Sequence, residues 1–216
     1  AASPALANAP AKHHMIATAS PFATQAGLEM LRAHGSAVDA AIAAQMVLTL
    51  VEPESSGIGG GAFMVLFDPT KKMVTSFDGR ETAPASATPG MFLDANGKPR
   101  QHFDVIPGGL SGGVPGDIAM LWPAHHRYGK VLWAKLFRPA IALAKKGFPL
   151  GHKLASELKA FPQLAKMPDI RAYLFHADGT PLNEGETLKN PELAETFKAI
   201  AKDGPKAFYE GAVAQA

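Results

Sequence analysis

The sequence predicts an α+β fold in which two packed helices lead into a β-hairpin and a longer helical region follows. Three observations carry this. Residues 37–51 are apolar almost all round, which marks a helix sandwiched inside a core. Across the glycine run Gly57–Gly61 the pattern changes to strand-like runs, Ala62–Phe67 and Met73–Phe77, separated by the turn sequence Asp68-Pro69-Thr70-Lys71-Lys72. Beyond Gly116 the punctuation becomes helical again, with prolines at starts and glycines at ends.

Taken in order, residues 1–14 are Ala/Pro-rich and read as a flexible tail, leaving 15–216 as the structured part. Ser20-Pro21 offers a hydroxyl cap followed by proline at the first helical position, so a helix is expected near 21–34. Gly35 stops it and Ser36 caps the next. Asp39, the one acid of that second helix, suits its first turn, where a carboxylate faces the positive end of the helix dipole. The hairpin is expected to pack on these two helices. The proline- and glycine-rich traverse from Thr82 to Gly116 reads as a surface wrap or the wall of a site.

A helix opens at Pro115-Gly116 and closes at Gly129, with Pro123 predicting a kink or break. Pro139 divides Leu132–Lys146, which Gly147 ends; Asn190-Pro191 is a cap-plus-proline start, and Gly204-Pro205 ends one helix and begins another. In the last helix Ala212, Val213 and Ala216 share a face that is cut off mid-course. The chain therefore reads as a fragment whose C-terminal helices leave an apolar face uncovered.

Composition narrows the function classes. In 216 residues, 47% hydrophobic and 19% charged content are globular values. A net charge of +2, with lysines and arginines scattered among acids, points to no nucleic-acid partner. The absence of cysteine excludes disulfides, thiolate catalysis and cysteine-containing zinc motifs from this chain. The longest apolar run, about Ala40 to Val51, falls short of the roughly 20 residues a membrane span needs. No signal peptide opens the chain, and a start at Ala1-Ala2-Ser3 without methionine suits a processed export product, so a periplasmic or secreted location is expected.

Few residues offer chemistry on their own. The run Gly57–Gly61 lacks the Gly-Lys-Ser/Thr ending of a phosphate loop and precedes a strand instead of opening a helix. It suits a backbone passing tightly against its neighbours. Asp78-Gly79-Arg80-Glu81-Thr82-Ala83-Pro84 is more informative, because it sets a guanidinium just past a core strand. An arginine held there presents a planar set of donors to a carboxylate, and Glu81 or Asp78 is placed to orient it. The alternative is an ion pair that merely closes the strand end. His125-His126 stand about 100° apart on a helix and do not form a metal pair. His13-His14 belong to the tail, and Lys145-Lys146 and the acids near Glu184 and Glu186 read as solvated faces.

The residues also resemble a known family. Asp39-Ala40-Ala41-Ile42, then Gly57-Ile58-Gly59-Gly60-Gly61-Ala62-Phe63-Met64, then Arg80-Glu81-Thr82-Ala83-Pro84 are similar in order and spacing to the γ-glutamyltranspeptidases. So are Gly113-Val114-Pro115-Gly116, Pro139–Ala144 before Gly147-Phe148, and Gly204-Pro205-Lys206-Ala207-Phe208-Tyr209-Glu210-Gly211. The resemblance implies an αββα sandwich of the N-terminal-nucleophile hydrolase type, of which this chain supplies the N-terminal part of the large subunit. It implies a precursor that cuts itself in two, and a threonine at the small subunit's new N-terminus that attacks a γ-glutamyl amide. That nucleophile is expected downstream, so no catalytic residue is expected here.

Arg80 is carried over as the contact to the α-carboxylate of a substrate such as glutathione, with Glu81 as its support. Neither a metal nor a cofactor is implied; the expected partner is the small subunit. A sister group that hydrolyses glutaryl or cephalosporin side-chain amides shares the Arg-Glu motif and stays open as an alternative, as does a binding module without the nucleophile.

Overall fold

The computed structural model describes residues 11–106 and 109–215. Of the expected tail, residues 1–10 lie outside the described residues, and 11–14 form no helix or strand. Helix α1 (Pro21–Arg32) follows Ser20 as expected but ends two residues early, and α2 covers Ala37–Val51. These two helices pack along one another, with Ala23, Ala26 and Met30 of α1 against the buried body of α2.

The start of α2 is a capping box: Ser36 Oγ accepts the Asp39 N–H, and Asp39 Oδ2 accepts the Ser36 N–H at 2.7 Å. Asp39 does more than face the dipole. The same Oδ2 accepts the backbone N–H groups of Lys130 (2.9 Å) and Val131 (3.2 Å), so one fully buried carboxylate ties this helix to a loop some ninety residues away. His125 completes the knot, with Nε2 donating to the Val131 carbonyl at 2.8 Å and lying 3.6 Å from Asp39 Oδ1.

The hairpin is β1 (Ala62–Asp68) and β2 (Met73–Gly79), antiparallel, in a register that pairs Ala62 with Gly79 and Asp68 with Met73. After a short helix α3 (His102–Val105) comes α4 (Asp117–Tyr128), and β2 lies closely along α4, a contact the sequence did not suggest. Phe77 meets the Tyr128 ring edge-on, and Thr75 Oγ1 shares a 3.3 Å hydrogen bond with Tyr128 Oη. Helix α4 in turn packs on α2, so the order is helix pair, bridging helix, hairpin.

Pro123 does not break α4. The first turn, whose Ala119 carbonyl loses its usual donor at Pro123, is held from outside: Tyr209 Oη accepts the Ala119 N–H and donates to the Pro115 carbonyl. Pro139 does divide its segment, into α5 (Trp133–Leu136) and α6 (Arg138–Lys146). Gly147 ends α6 at φ 97°, a conformation that disfavours side chains. A two-residue strand β3 (Phe148–Pro149), unforeseen in the sequence, pairs with β4 (Thr187–Leu188). Between them lie α7 (His152–Ala160), a 3₁₀ turn at Pro162–Lys166 and α8 (Pro168–Leu174). Helix α9 (Pro191–Asp203) starts on Asn190, whose Oδ1 accepts the Leu193 N–H, and α10 (Lys206–Tyr209) and α11 (Ala212–Gln215) follow.

The core lies among α2, α5, α6 and α9, where Trp133, Phe137 and Phe197 stack edge to face and Trp133 Nε1 donates to the Ile200 carbonyl. Of the three residues expected to share an uncovered apolar face, Ala216 lies outside the described residues, while Ala212 and Val213 are exposed as expected. The larger bare surface is the outer face of the hairpin, where Phe63, Val65 and Phe67 are 67%, 74% and 60% exposed. Strand alternation produces this: Met64 and Leu66 turn inward, and their neighbours must turn out.

Candidate functional site

Arg80 follows directly on β2, as its position past a core strand suggested. An Asx turn sets its backbone, with Asp78 Oδ1 accepting the Arg80 N–H at 2.8 Å. Asp78 therefore fixes the main chain and does not orient the guanidinium. Glu81 does: its Oε2 lies 3.2 Å from Arg80 Nη1. The pair does not seal the strand end, because the Arg80 side chain is 70% exposed. An exposed pair of this kind contributes at most about 1 kcal/mol to stability, so holding the strand is a poor reason for it.

The segment that follows is pinned by the reciprocal bonds Thr82 N–H to Val114 carbonyl and Val114 N–H to Thr82 carbonyl. They fold the Thr82–Gly116 traverse into a wall. Together with Arg80, Glu81, Met91, Phe92 and Leu110 it bounds a groove of about 310 Å³. The sequence reading of that traverse as a site wall is thus the one the geometry supports.

Behind Glu81 lies a second, larger cleft of about 620 Å³, bounded by the Pro53–Ala62 turn, Gln45 and Glu81. Glu81 is the wall the two concavities share. Close approach explains the glycines here: a Cβ on Gly61 would collide with the Gly79 carbonyl and come within 2.8 Å of Glu81 Oε2. The Gly57–Gly61 run is not an anion cradle, since carboxylates line this cleft. Glu54, which the sequence reading passed over, is its most unusual member. The side chain is 7% exposed and neither carboxylate oxygen has a hydrogen-bond partner. Its carboxyl is pushed above the usual range, first by burial and then by neighbouring Glu52, with the polar backbone of Glu54 itself and, more weakly, Lys153 opposing.

On the far side of Gln45 sits Asp117, also fully buried and also unflagged by the sequence. Gln45 Nε2 donates to its Oδ2 at 3.1 Å while Oδ1 has no partner, and burial raises the carboxyl to about 6. No local signal marks Glu54 or Asp117; burial of a carboxylate is a tertiary property. Among the described residues no three His, Asp or Glu side chains come together as a metal site. His125 and His126 serve structure, one on Asp39 and Val131 and the other stacked on Trp122. Among the same residues no helix is long and apolar enough to cross a membrane.

The fold that carries the Arg80–Glu81 pair matches solved enzymes of the N-terminal-nucleophile class. A γ-glutamyltranspeptidase from Helicobacter pylori superposes on 96% of this chain with a TM-score of 0.90 and 32% identity; the match spans 59% of that chain. A cephalosporin acylase from Bacillus halodurans superposes less closely, with a TM-score of 0.76 and 28% identity, over 99% of this chain and 41% of the other. A glutathione hydrolase proenzyme from Bacillus subtilis (strain 168) is 42% identical over 94% of this chain. The chain spans only 35% of that relative's length. The profile of the gamma-glutamyltranspeptidase family matches residues 23–216, and the chain belongs to that family.

Proposed function

We propose that this chain is the large-subunit N-terminal part of an enzyme that cleaves γ-glutamyl amides, such as glutathione, and passes the γ-glutamyl group to water or an amine. In this reading the threonine nucleophile stands on a small subunit cut from the same precursor. Arg80 holds the substrate's α-carboxylate, and Glu81 keeps the guanidinium in place. The observation that carries the reading is the Arg80–Glu81 pair itself, solvent-open at the end of β2 and facing a groove, in a chain of this family. The word proenzyme in the Bacillus subtilis relative's name supports the precursor, and the bare outer face of the hairpin supports a companion segment that covers it.

A charge-assisted bidentate contact is worth about 1.5–3 kcal/mol, or roughly one to two decades of binding. Lysine keeps the charge and loses the planar donor geometry. In the full-length processed protein, Arg80→Lys is therefore expected to raise KM for a γ-glutamyl donor by about 10- to 100-fold with an unchanged melting temperature. A lowered melting temperature with wild-type KM would return Arg80 to a structural role. Running γ-glutamyl and glutaryl anilides side by side separates this activity from the acylase alternative, and inertness on both would favour a binding module.

A further inference from the structure

The cleft behind Glu81 contains a buried carboxylate, Glu54, that its surroundings leave without a hydrogen bond. Glu54 is more than nine-tenths buried, lines the cleft and has no hydrogen bond on either oxygen, while Glu81, whose carboxylate pairs with Arg80, lines the same cleft. A buried, unsatisfied carboxylate is costly and calls for a cationic donor. Arg80 is paired with Glu81, and the cation next to Glu54 answers only in part. Lys153 Nζ donates to Ser55 Oγ at 2.8 Å and stops 3.8 Å short of Glu54 Oε1, from a side chain about half exposed. An ammonium group thus reaches the edge of the cleft without filling it. Gln45, on the inner wall, gives an Nε2 hydrogen to Asp117 and none to Glu54.

We propose that this cleft is a subsite for a primary ammonium group, the free amine of an amino-acid or peptide acceptor, held between Glu54 and Glu81. The assignment rests on the γ-glutamyl-transfer reading above for the identity of the ligand. Because Glu81 also walls the groove at Arg80, an amine held here lies beside a donor whose carboxylate Arg80 holds. The two charges of one side-chain pair then sort the two substrates: guanidinium for the donor's carboxylate, carboxylates for the acceptor's amine. Only binding of the protonated amine is assigned to Glu54 and Glu81; the amine must release its proton and leave this hold before it can form the new amide bond.

The test uses the full-length processed protein with a γ-glutamyl anilide donor and glycylglycine as acceptor. Glu54→Gln is expected to raise the KM for glycylglycine about tenfold while the donor KM moves less than twofold. Lys153→Ala, which removes the competing ammonium, is expected to move the glycylglycine KM the other way, down about two- to threefold. Opposite signs at two neighbouring residues are not what general destabilisation produces, and Lys153→Ala still decides if Glu54→Gln fails to fold. An unchanged glycylglycine KM in the variants that fold overturns the subsite.

If the wild type hydrolyses no γ-glutamyl donor, calorimetric titration with glycylglycine and N-acetylglycylglycine keeps the two readings apart. Binding of the first alone, weakened by Glu54→Gln, upholds the ammonium subsite while the transfer reading falls. Equal binding of both, or of neither, overturns it. The same holds if a cationic side chain of the companion segment fills the cleft, in which case Glu54→Gln lowers the melting temperature and glycylglycine does not bind.

Discussion

The helical half and the hairpin half of this chain treat the same kinds of residue in opposite ways. Around α2, α5, α6 and α9, phenylalanines are buried completely and the one internal carboxylate, Asp39, is knitted into four hydrogen bonds. Around β1, β2 and the Pro53–Ala62 turn, Phe63 and Phe67 stand in solvent, and the buried Glu54 has no hydrogen bond at all. The first half comes close to satisfying itself, with Asp39 Oδ1 and His125 Nδ1 left over. The second leaves apolar and charged groups waiting, so it is the side where the proposed partner and substrates would be met.

The largest effect that separates the halves comes from one residue type. Phe137 is fully buried between Trp133 and Phe197, so Phe137→Ala is expected to cost about 3–5 kcal/mol. For a chain of this size that lowers the melting temperature by roughly 6–20 °C. Phe63→Ala, two-thirds exposed, should cost well under about 1 kcal/mol in this chain alone. Comparable losses from both in residues 1–216 would break the comparison by showing that the hairpin face is already covered.

Which of these features the sequence disclosed follows from the range of the forces involved. Helix starts at Ser36 and Asn190 were legible because a cap is a contact across three residues, and strand alternation in Ala62–Phe67 because its period is local. The end-of-strand position of Arg80 followed from both. What stayed hidden is long-range. Asp39 was read as a dipole partner, since its bonds to Lys130 and Val131 span some ninety residues. Packing of the hairpin on α4 depended on Tyr128 and Phe77 meeting. The first turn of α4 ahead of Pro123 is bonded by Tyr209, more than eighty residues further on. Glu54 and Asp117 carry no spacing signal, so half of the candidate site emerged only with the fold.

Asp117 stands on the border between the halves and gives the next effect in size. Burial raises its carboxyl from the ordinary 3.8 to about 6, with the Gln45 bond opposing. Between those values the folded chain keeps a proton that the unfolded chain has released. Stability contributed by the neutral form is therefore intact below about pH 4 and is lost as the pH climbs through about 6. At roughly 1.4 kcal/mol per pKa unit the loss approaches 3 kcal/mol. Asp117→Asn is expected to remove that component, so that variant and wild type diverge in melting temperature from pH 4 to pH 8, the variant gaining. A difference that does not vary with pH would mean the carboxylate is ionised throughout and has found a cation.

The smallest expected effect sharpens the comparison furthest. Val65 is 74% exposed at the centre of the bare hairpin face, and threonine matches its shape and strand preference while adding a hydroxyl. In residues 1–216 alone, Val65→Thr should change stability by no more than about 0.5 kcal/mol, because both side chains sit in water. In the full-length protein the same substitution would place the hydroxyl beneath a companion segment, at a cost of about 1–3 kcal/mol if it finds no partner there. Denaturant unfolding of both lengths, each with and without the substitution, measures that difference directly. A near-zero change at both lengths would leave the hairpin face exposed in the whole enzyme and would require another location for the docking surface. A cost confined to the full length assigns the surface to β1 and shows that its outward Phe63, Val65 and Phe67 are interior residues of a larger fold.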